Sequence, residues 1–280
     1  MIVENIGYGY DYDIDGNTII ARDNIANYGL FSTFTLLLSA ISKAHVKYDI
    51  LLENLEISKV LKKFKSDESQ DLYSMLFKQD KKVHVPKLQF GPNVHHDRYD
   101  EALINKVSPY IDRYLSPTDY ILENKEQLVD KYELKTNDRI SVIYRGSDKW
   151  TDMGGFIAVN PAAYIKAVQH IKQTHNVESS IIQSEESEVC KFFKQRFKSA
   201  YITETAIGPT TRTGQPIPTE NKIEWLMNFI SALYIHADSK YLVTYTGNTG
   251  FFITMLRKTP INVMQEKSHT FNIDNIFYDK

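Results

Sequence analysis

A single cysteine, Cys190, stands among 280 residues, so an intramolecular disulfide is excluded and the fold needs no oxidising compartment. Its neighbours Glu188, Val189, Phe192 and Phe193 follow helical spacing. That predicts a half-buried small apolar residue, because reactive thiols sit in exposed, electropositive surroundings. Long apolar runs are missing as well. The strongest, Leu30 to Ile41, is about twelve residues long with Ser and Thr inside it, short of a bilayer span. Met1-Ile-Val-Glu-Asn5 has neither the charged start nor the apolar core of a signal peptide. A soluble, cytoplasmic protein is expected.

A basic excess is also absent. Lys and Arg number 33 against 35 Asp and Glu, a formal charge of −2, whereas a protein gripping a nucleic-acid backbone normally carries a positive surplus. A local basic pocket for a diphosphate remains compatible with that total. No glycine-lysine phosphate loop and no G-x-G-x-x-G turn occurs, which disfavours kinases and dehydrogenases. Metal motifs are incomplete. His95-His96-Asp97 places its histidines side by side, where they do not share one face of a regular element, and a solvated loop is expected. Asp11-Tyr-Asp13-Ile-Asp15-Gly16 has half the acidic ladder of a calcium loop but no later bidentate Glu. No metal is expected.

What is present is an ordinary globular composition, 42% apolar and 24% charged, in a chain long enough for two lobes of roughly 100–150 residues. Asn27-Tyr28-Gly29, the apolar run that follows and Lys47-Tyr-Asp-Ile-Leu-Leu52 read as turn, helix and buried strand, the opening of a Rossmann-like lobe. Residues 55–80 read as helices with charged faces, and Lys82 to His96 as a connection. Tyr99 to Tyr132 is helical but broken at Ser116-Pro117, where Ser116 is expected to cap the second helix and Pro117 to sit in its first turn.

From Arg139 a regular alternation begins. Strands are predicted at Arg139–Tyr144, Ser180–Ile182, Ser199–Ile202, Tyr241–Tyr245 and Pro260–Val263. Helices are predicted at Pro161–Thr174, Ser187–Phe197, Lys222–His236 and Thr249–Arg257. Such a rhythm implies a parallel sheet covered on both faces. The expected fold is α/β, with two Rossmann-like lobes, residues 1–125 and 126–280.

In open parallel sheets, ligands bind beyond the carboxyl ends of the strands. Three of these ends carry polar clusters. Thr244-Tyr-Thr246-Gly247-Asn248-Thr249 precedes a helix, whose free amides and partial positive charge favour phosphate. Tyr144-Arg145-Gly-Ser-Asp148-Lys149-Trp-Thr-Asp152 adds a guanidinium, which offers paired donors in one plane. Gln183-Ser184-Glu185-Glu186 offers carboxylates either to sugar hydroxyls or simply to the start of the next helix, with Ser184 as its cap.

The run Val142-Ile-Tyr-Arg145-Gly-Ser-Asp148-Lys149 resembles the arginine motif of the α1,6-fucosyltransferases, including the rhizobial nodulation type, approximately Val-His-Val-Arg-Arg-Thr-Asp-Lys. Tyr110-Ile-Asp-Arg-Tyr-Leu-Ser-Pro117 is similar to that family's Phe-Val-Lys-Tyr-Leu-Ile-Arg-Pro. Ser184-Glu185-Glu186 is similar to its Thr-Asp-Asp. Ala237-Asp238, a strand and Thr244-Tyr-Thr-Gly follow the same order as its Ala-Asp, strand and Thr-Phe-Ser-Ser. The motifs are collinear over roughly residues 105–257.

The resemblance implies a metal-independent, inverting sugar transferase with a GT-B-like fold, two Rossmann-like lobes with a cleft between them. Residues 1–125 would lie on the acceptor side and 126–280 would bind the nucleotide sugar. Carried over, Arg145 would hold the donor diphosphate, Asp148 and Lys149 would lie at the active site, and Thr246 or Gly247 would line the phosphate pocket. Glu185 and Glu186 would face the donor. The family's proposed base falls at Met153 here, so Asp152 is the substitute candidate, with Asp13 as an acid from the first lobe. The second arginine is Gly146, a loss that Arg212 in the Thr-Thr-Arg-Thr-Gly loop would make good. The histidine and aspartate that read guanine fall at Ile143 and near Asn228–Ile230. UDP is therefore expected ahead of GDP. The short chain also looks like virally encoded xylosyltransferases that decorate capsid glycans, which points to UDP-xylose and a virus-infected host cell, with GDP-fucose as the alternative donor. Tyr28 and Gly29 are expected on the acceptor side, and Tyr8, Tyr10, Tyr12 and Trp150 are available to stack on a glycan acceptor. The reading from another class is a glycan-binding protein without catalysis, suggested by Gly146 and Met153.

Overall fold

The computed structural model describes residues 2–6, 12–22, 30–57, 61, 64–65, 71–145, 161–184, 186–205 and 221–266, the side chains of 2–6 and of Ser187 apart. Two units divide the chain, Met1–Tyr120 and Ile121–Lys280.

In the first unit, β1 (Ile2–Ile6), β2 (Tyr12–Asp15) and β3 (Thr18–Ala21) run antiparallel in sequence order. The β2–β3 turn has two central residues, and Gly16 supplies the positive φ of 59° that the first of them needs. After α1 (Leu30–Lys47), β4 (Asn54–Glu56) returns parallel to β3. The sheet is thus mixed, β1-β2-β3-β4, with one βαβ step, and differs from the Rossmann-like lobe expected.

The strand expected at 47–52 is corrected. Apolar spacing carries α1 on to Lys47, and Asp49 then takes a left-handed conformation that ends the run. Of the helices expected over 55–80, the described residues contain α2 (Leu72–Leu76), whose first turn Asp71 caps through the Ser74 amide. Next comes β5 (Phe77–Lys78). His95 and His96 lie in a single 3-10 turn with their rings 4.0 Å apart, and His95 Nδ1 is 3.0 Å from the Pro92 carbonyl. α3 (Glu101–Tyr114) begins at the Asp100 cap. Ser116 does not cap the helix after it. With Pro117 it forms β6 (Ser116–Pro117), paired with β5, while its hydroxyl donates back to the Asp112 carbonyl.

α4 (Asp119–Lys131) leads into the second unit and packs there through Leu128 on Ile181, Ile202, Ala232 and Ile235. The remaining elements are β7 (Arg139–Tyr144), α5 (Pro161–His175), β8 (Ser179–Ser184), α6 (Ser187–Phe197), α7 (Lys222–Ala237), β9 (Tyr241–Tyr245), α8 (Asn248–Arg257) and β10 (Val263–Glu266). All strand pairs are parallel, in the order β10-β9-β7-β8. The strand expected at Ser199–Ile202 is reduced to one parallel bridge, Ile181 to Ala200, on the outer side of β8. The last strand starts three residues late, because Lys258 and Asn262 take left-handed turns before it.

Every residue of β7 and β9 is buried, as a sheet covered on both faces requires. On one face, Tyr164, Ala167, Val168 and Ile171 form the stripe by which α5 meets Ile140, Val142 and Tyr144, joined by Cys190 and Phe193 of α6. The Val, Ile and Phe side chains among them contribute about 1.5–3 kcal/mol each on burial. Cys190 is fully buried there, more deeply than its neighbours suggested.

On the other face, β7 meets α7. Arg139, 1% exposed, donates to the carbonyls of Leu134, Thr136 and Ile235 and to the Ser239 hydroxyl. Ser141 lies 2.8 Å from His236 Nδ1. Arg257 binds the carbonyls of Ala237, Ser239, Lys240 and Ile261. Two guanidiniums therefore satisfy carbonyls at the end of α7, where cations also suit the helix dipole. The end of α7 is pinned near the amino edge of the sheet, which directs its start towards the carboxyl edge.

Candidate functional site

Numbered along the chain, the second unit's strands are β7, β8, the Ala200 bridge, β9 and β10. Their spatial order is 3-2-1-4-5, the doubly wound pattern, with its reversal between β7 and β9. Both strands are followed on the carboxyl side by residues that the sequence had singled out. β7 runs into Arg145, which is half-buried. β9 runs through Thr246 and Gly247 into α8.

Between these strands the ladder runs from Ile140–Tyr241 to Val142–Val243, while β7 continues to Tyr144 and β9 to Tyr245. β7 stays paired with β8 up to Tyr144–Ser184, and β9 with β10 up to Tyr245–Glu266. The direct pairing of β7 with β9 thus stops short of their carboxyl ends, at the switch point of the sheet.

The β9 side is built by close packing. Gly250, in the first turn of α8, has the Tyr245 carbonyl oxygen 2.5 Å from where a Cβ would stand and the Thr244 hydroxyl beside it. Only hydrogen fits, so the start of α8 lies directly on the end of β9. Gly247 precedes α8 with extended backbone, and its carbonyl accepts the Phe251 amide at 2.9 Å. The edge of the Tyr245 ring stands where a Cβ on Gly247 would go. Gln265 Nε2, on β10, donates to Thr246 Oγ1 at 3.1 Å and orients that hydroxyl. Asn248 and Thr249, in the first turn, are half-buried.

The β8 side carries Ser184 and Glu186. Ser184 is 4% exposed, and its Oγ accepts the Glu186 amide at 3.0 Å. The cap expected at Ser184 is corrected: Glu186 holds that position. The Glu186 carbonyl accepts the amides of Val189 and Cys190 at 3.0 and 3.2 Å, so its main chain is held on both sides. Its side chain makes no cap bond. Burial pushes its carboxyl above the ordinary range. One residue earlier on β8, Gln183 and Thr205 share a buried bond of 2.7 Å.

Arg145, Ser184, Glu186, Thr246, Gly247, Asn248 and Thr249 are thus brought to one edge of one sheet. Asp148, Lys149, Asp152, Glu185, Arg212, Tyr28 and Gly29 lie outside the described residues, as do Tyr8, Tyr10 and Trp150. Asp13, in the first unit, has both carboxylate oxygens on Arg22, at 2.7 and 2.8 Å. Tyr12 is corrected. It is fully buried, with its hydroxyl 3.3 Å from the Thr33 carbonyl, and is not placed to stack on a ligand.

No protein-family model matches the chain, and no curated protein is significantly similar to it.

At the two positions where the resemblance expected guanine-reading groups, Ile143 is core, 2% exposed, and the Asn228 side-chain oxygen accepts from Asn124 at 2.9 Å. Among the described residues no group of three His, Cys, Asp or Glu side chains is placed to share a metal ion. Among them, too, no helix is long and apolar enough to cross a membrane.

The role of Gln265 was not readable from the sequence, because it orients Thr246 from another strand. Gln183 and Thr205 likewise carry no local signal, being 22 residues apart.

Proposed function

We propose that the second unit is the nucleotide-sugar lobe of an inverting, metal-independent glycosyltransferase of the GT-B class, acting on a hydroxyl of a glycan acceptor. The observation that carries this reading is the pair of groups flanking the switch point, Arg145 after β7 and the start of α8 after β9. A pyrophosphate there would receive paired guanidinium donors from one side and helix amides from the other. On bond cleavage the leaving nucleoside diphosphate gains charge, and fixed donors of this kind supply a few kcal/mol each to that transition state.

UDP-xylose is the preferred donor in this proposal and GDP-fucose the alternative. Guanine presents an N–H and an amino group side by side and calls for a carboxylate to receive both. Ile143 has no such group, and the Asn228 amide oxygen already receives Asn124.

Thermal-shift titration with UDP and with GDP tests the proposal. A nucleotide at 100 times its Kd stabilises by about 2.7 kcal/mol. UDP is expected to raise the melting temperature more than GDP. If neither nucleotide raises it at millimolar concentration, the nucleotide-sugar reading is lost.

A further inference from the structure

We infer that Glu186 is the group that takes the proton from the acceptor hydroxyl, an inference that rests on the transferase reading above.

Across the carboxyl edge the chemistry changes in one direction. The α8 amides follow β9, the Arg145 guanidinium follows β7, and the Glu186 carboxylate follows β8. From β9 to β8 is two strand spacings, about 10 Å. An in-line displacement needs that sequence of parts: leaving phosphate, anomeric carbon, attacking oxygen, then a base. With the diphosphate gripped between β9 and β7, the side opposite the leaving group is the β8 side.

Glu186 is suited to the task in three ways. Its amide is bound by Ser184 and its carbonyl by Val189 and Cys190, so its position is fixed before any ligand arrives. Among the described residues its carboxyl makes no cap bond with the helix it begins, so it is not committed to that helix. Burial alone raises its proton affinity, towards the range in which a carboxylate is an effective base. Around it, Arg145 follows the neighbouring strand, and on its own helix Glu188 and Lys191 pair with each other at 2.7 Å. Glu185 lies outside the described residues. The other described candidate, Asp13, has both oxygens on Arg22.

In the step itself, the acceptor oxygen forms a bond to the anomeric carbon as its proton passes to a Glu186 oxygen. The bond from that carbon to the phosphate oxygen breaks, its electron pair leaving with the nucleoside diphosphate. The proton on Glu186 is then lost to water.

The test measures UDP or GDP release from UDP-xylose and GDP-fucose, with a fucose-bearing oligosaccharide as acceptor, between pH 5 and 9. Glu186→Gln should lower turnover at least 100-fold and abolish the acid limb of the pH–rate profile, while nucleotide affinity stays within twofold. Glu186→Asp should keep an acid limb, shifted, with partial activity. Melting temperatures of both variants confirm folding. A Glu186→Gln enzyme with wild-type turnover and an intact acid limb overturns the assignment and leaves the transferase reading standing. Wild-type protein that binds neither nucleotide and releases neither product overturns the transferase reading, and the role of Glu186 falls with it.

Discussion

The backbone oxygen of Tyr245 lies 2.5 Å from the point where a side chain on Gly250 would begin. This contact sets α8 directly on the end of β9 and so positions the first amides of that helix. Backbone has little freedom to yield in a packed interior, and overpacking typically costs 1–3 kcal/mol.

Gly250→Ala is therefore expected to destabilise the protein by about 2–3 kcal/mol, read as a lower denaturant midpoint at unchanged slope. Gly247→Ala meets the edge of the Tyr245 ring instead, a side chain, on backbone that any residue adopts. It should cost less stability than Gly250→Ala but, on the proposed function, weaken UDP binding, because the new methyl displaces the Tyr245 ring beside the turn that precedes α8. Equal stability losses in the two variants would contradict the distinction drawn between them.

Arg145 should behave in the opposite way. It is half-buried at the end of β7, outside the apolar clusters that hold the sheet. Arg145→Ala is expected to cut turnover about 100-fold or more, the order seen when one preorganised charge donor is removed, with little change in melting temperature. Near-normal turnover would take the guanidinium out of the mechanism.

His236 makes stability depend on pH. It is fully buried against Ser141, and burial, with Arg139 beside it, pushes its pKa down to about 3. The unfolded chain binds that proton near pH 6.5, so between these values the unfolded state holds more protons than the folded one. Stability from this group is complete above about pH 6.5 and is lost as pH falls towards 3. At pH 5 the loss is roughly 2 kcal/mol, from one and a half pH units at 1.36 kcal/mol each. His236→Gln removes the titration and should flatten the curve of unfolding free energy between pH 7 and 4. An unchanged slope in that variant would assign the acid sensitivity to other groups.

The two units differed in how much their residues disclosed. From Arg139 onward each element's apolar spacing is its own, and β7, α6, α7 and β9 lie where local periodicity puts them, within a residue. In the first unit the strand expected at 47–52 fell instead at Asn54–Glu56, since α1 is buried almost all round and its apolar run does not stop where a strand pattern would start. Tyr12 shows the same limit: a tyrosine's composition does not say whether its ring faces solvent or core.

By itself, the sequence determined that an α/β chain with a parallel sheet would form, and that Arg145, Ser184, Glu186 and the Thr246–Thr249 run would each stand at a strand end. Those features are local, set by periodicity over a few residues and by the residue types that follow a strand. Which strand ends become neighbours was decided by tertiary structure alone. Hydrogen-bond pairing between distant segments puts β7 beside β9 rather than β10, and close approach at Gly250 sets the start of α8 on the end of β9. Strand order is a property of contacts far apart along the chain, and no window of sequence contains it.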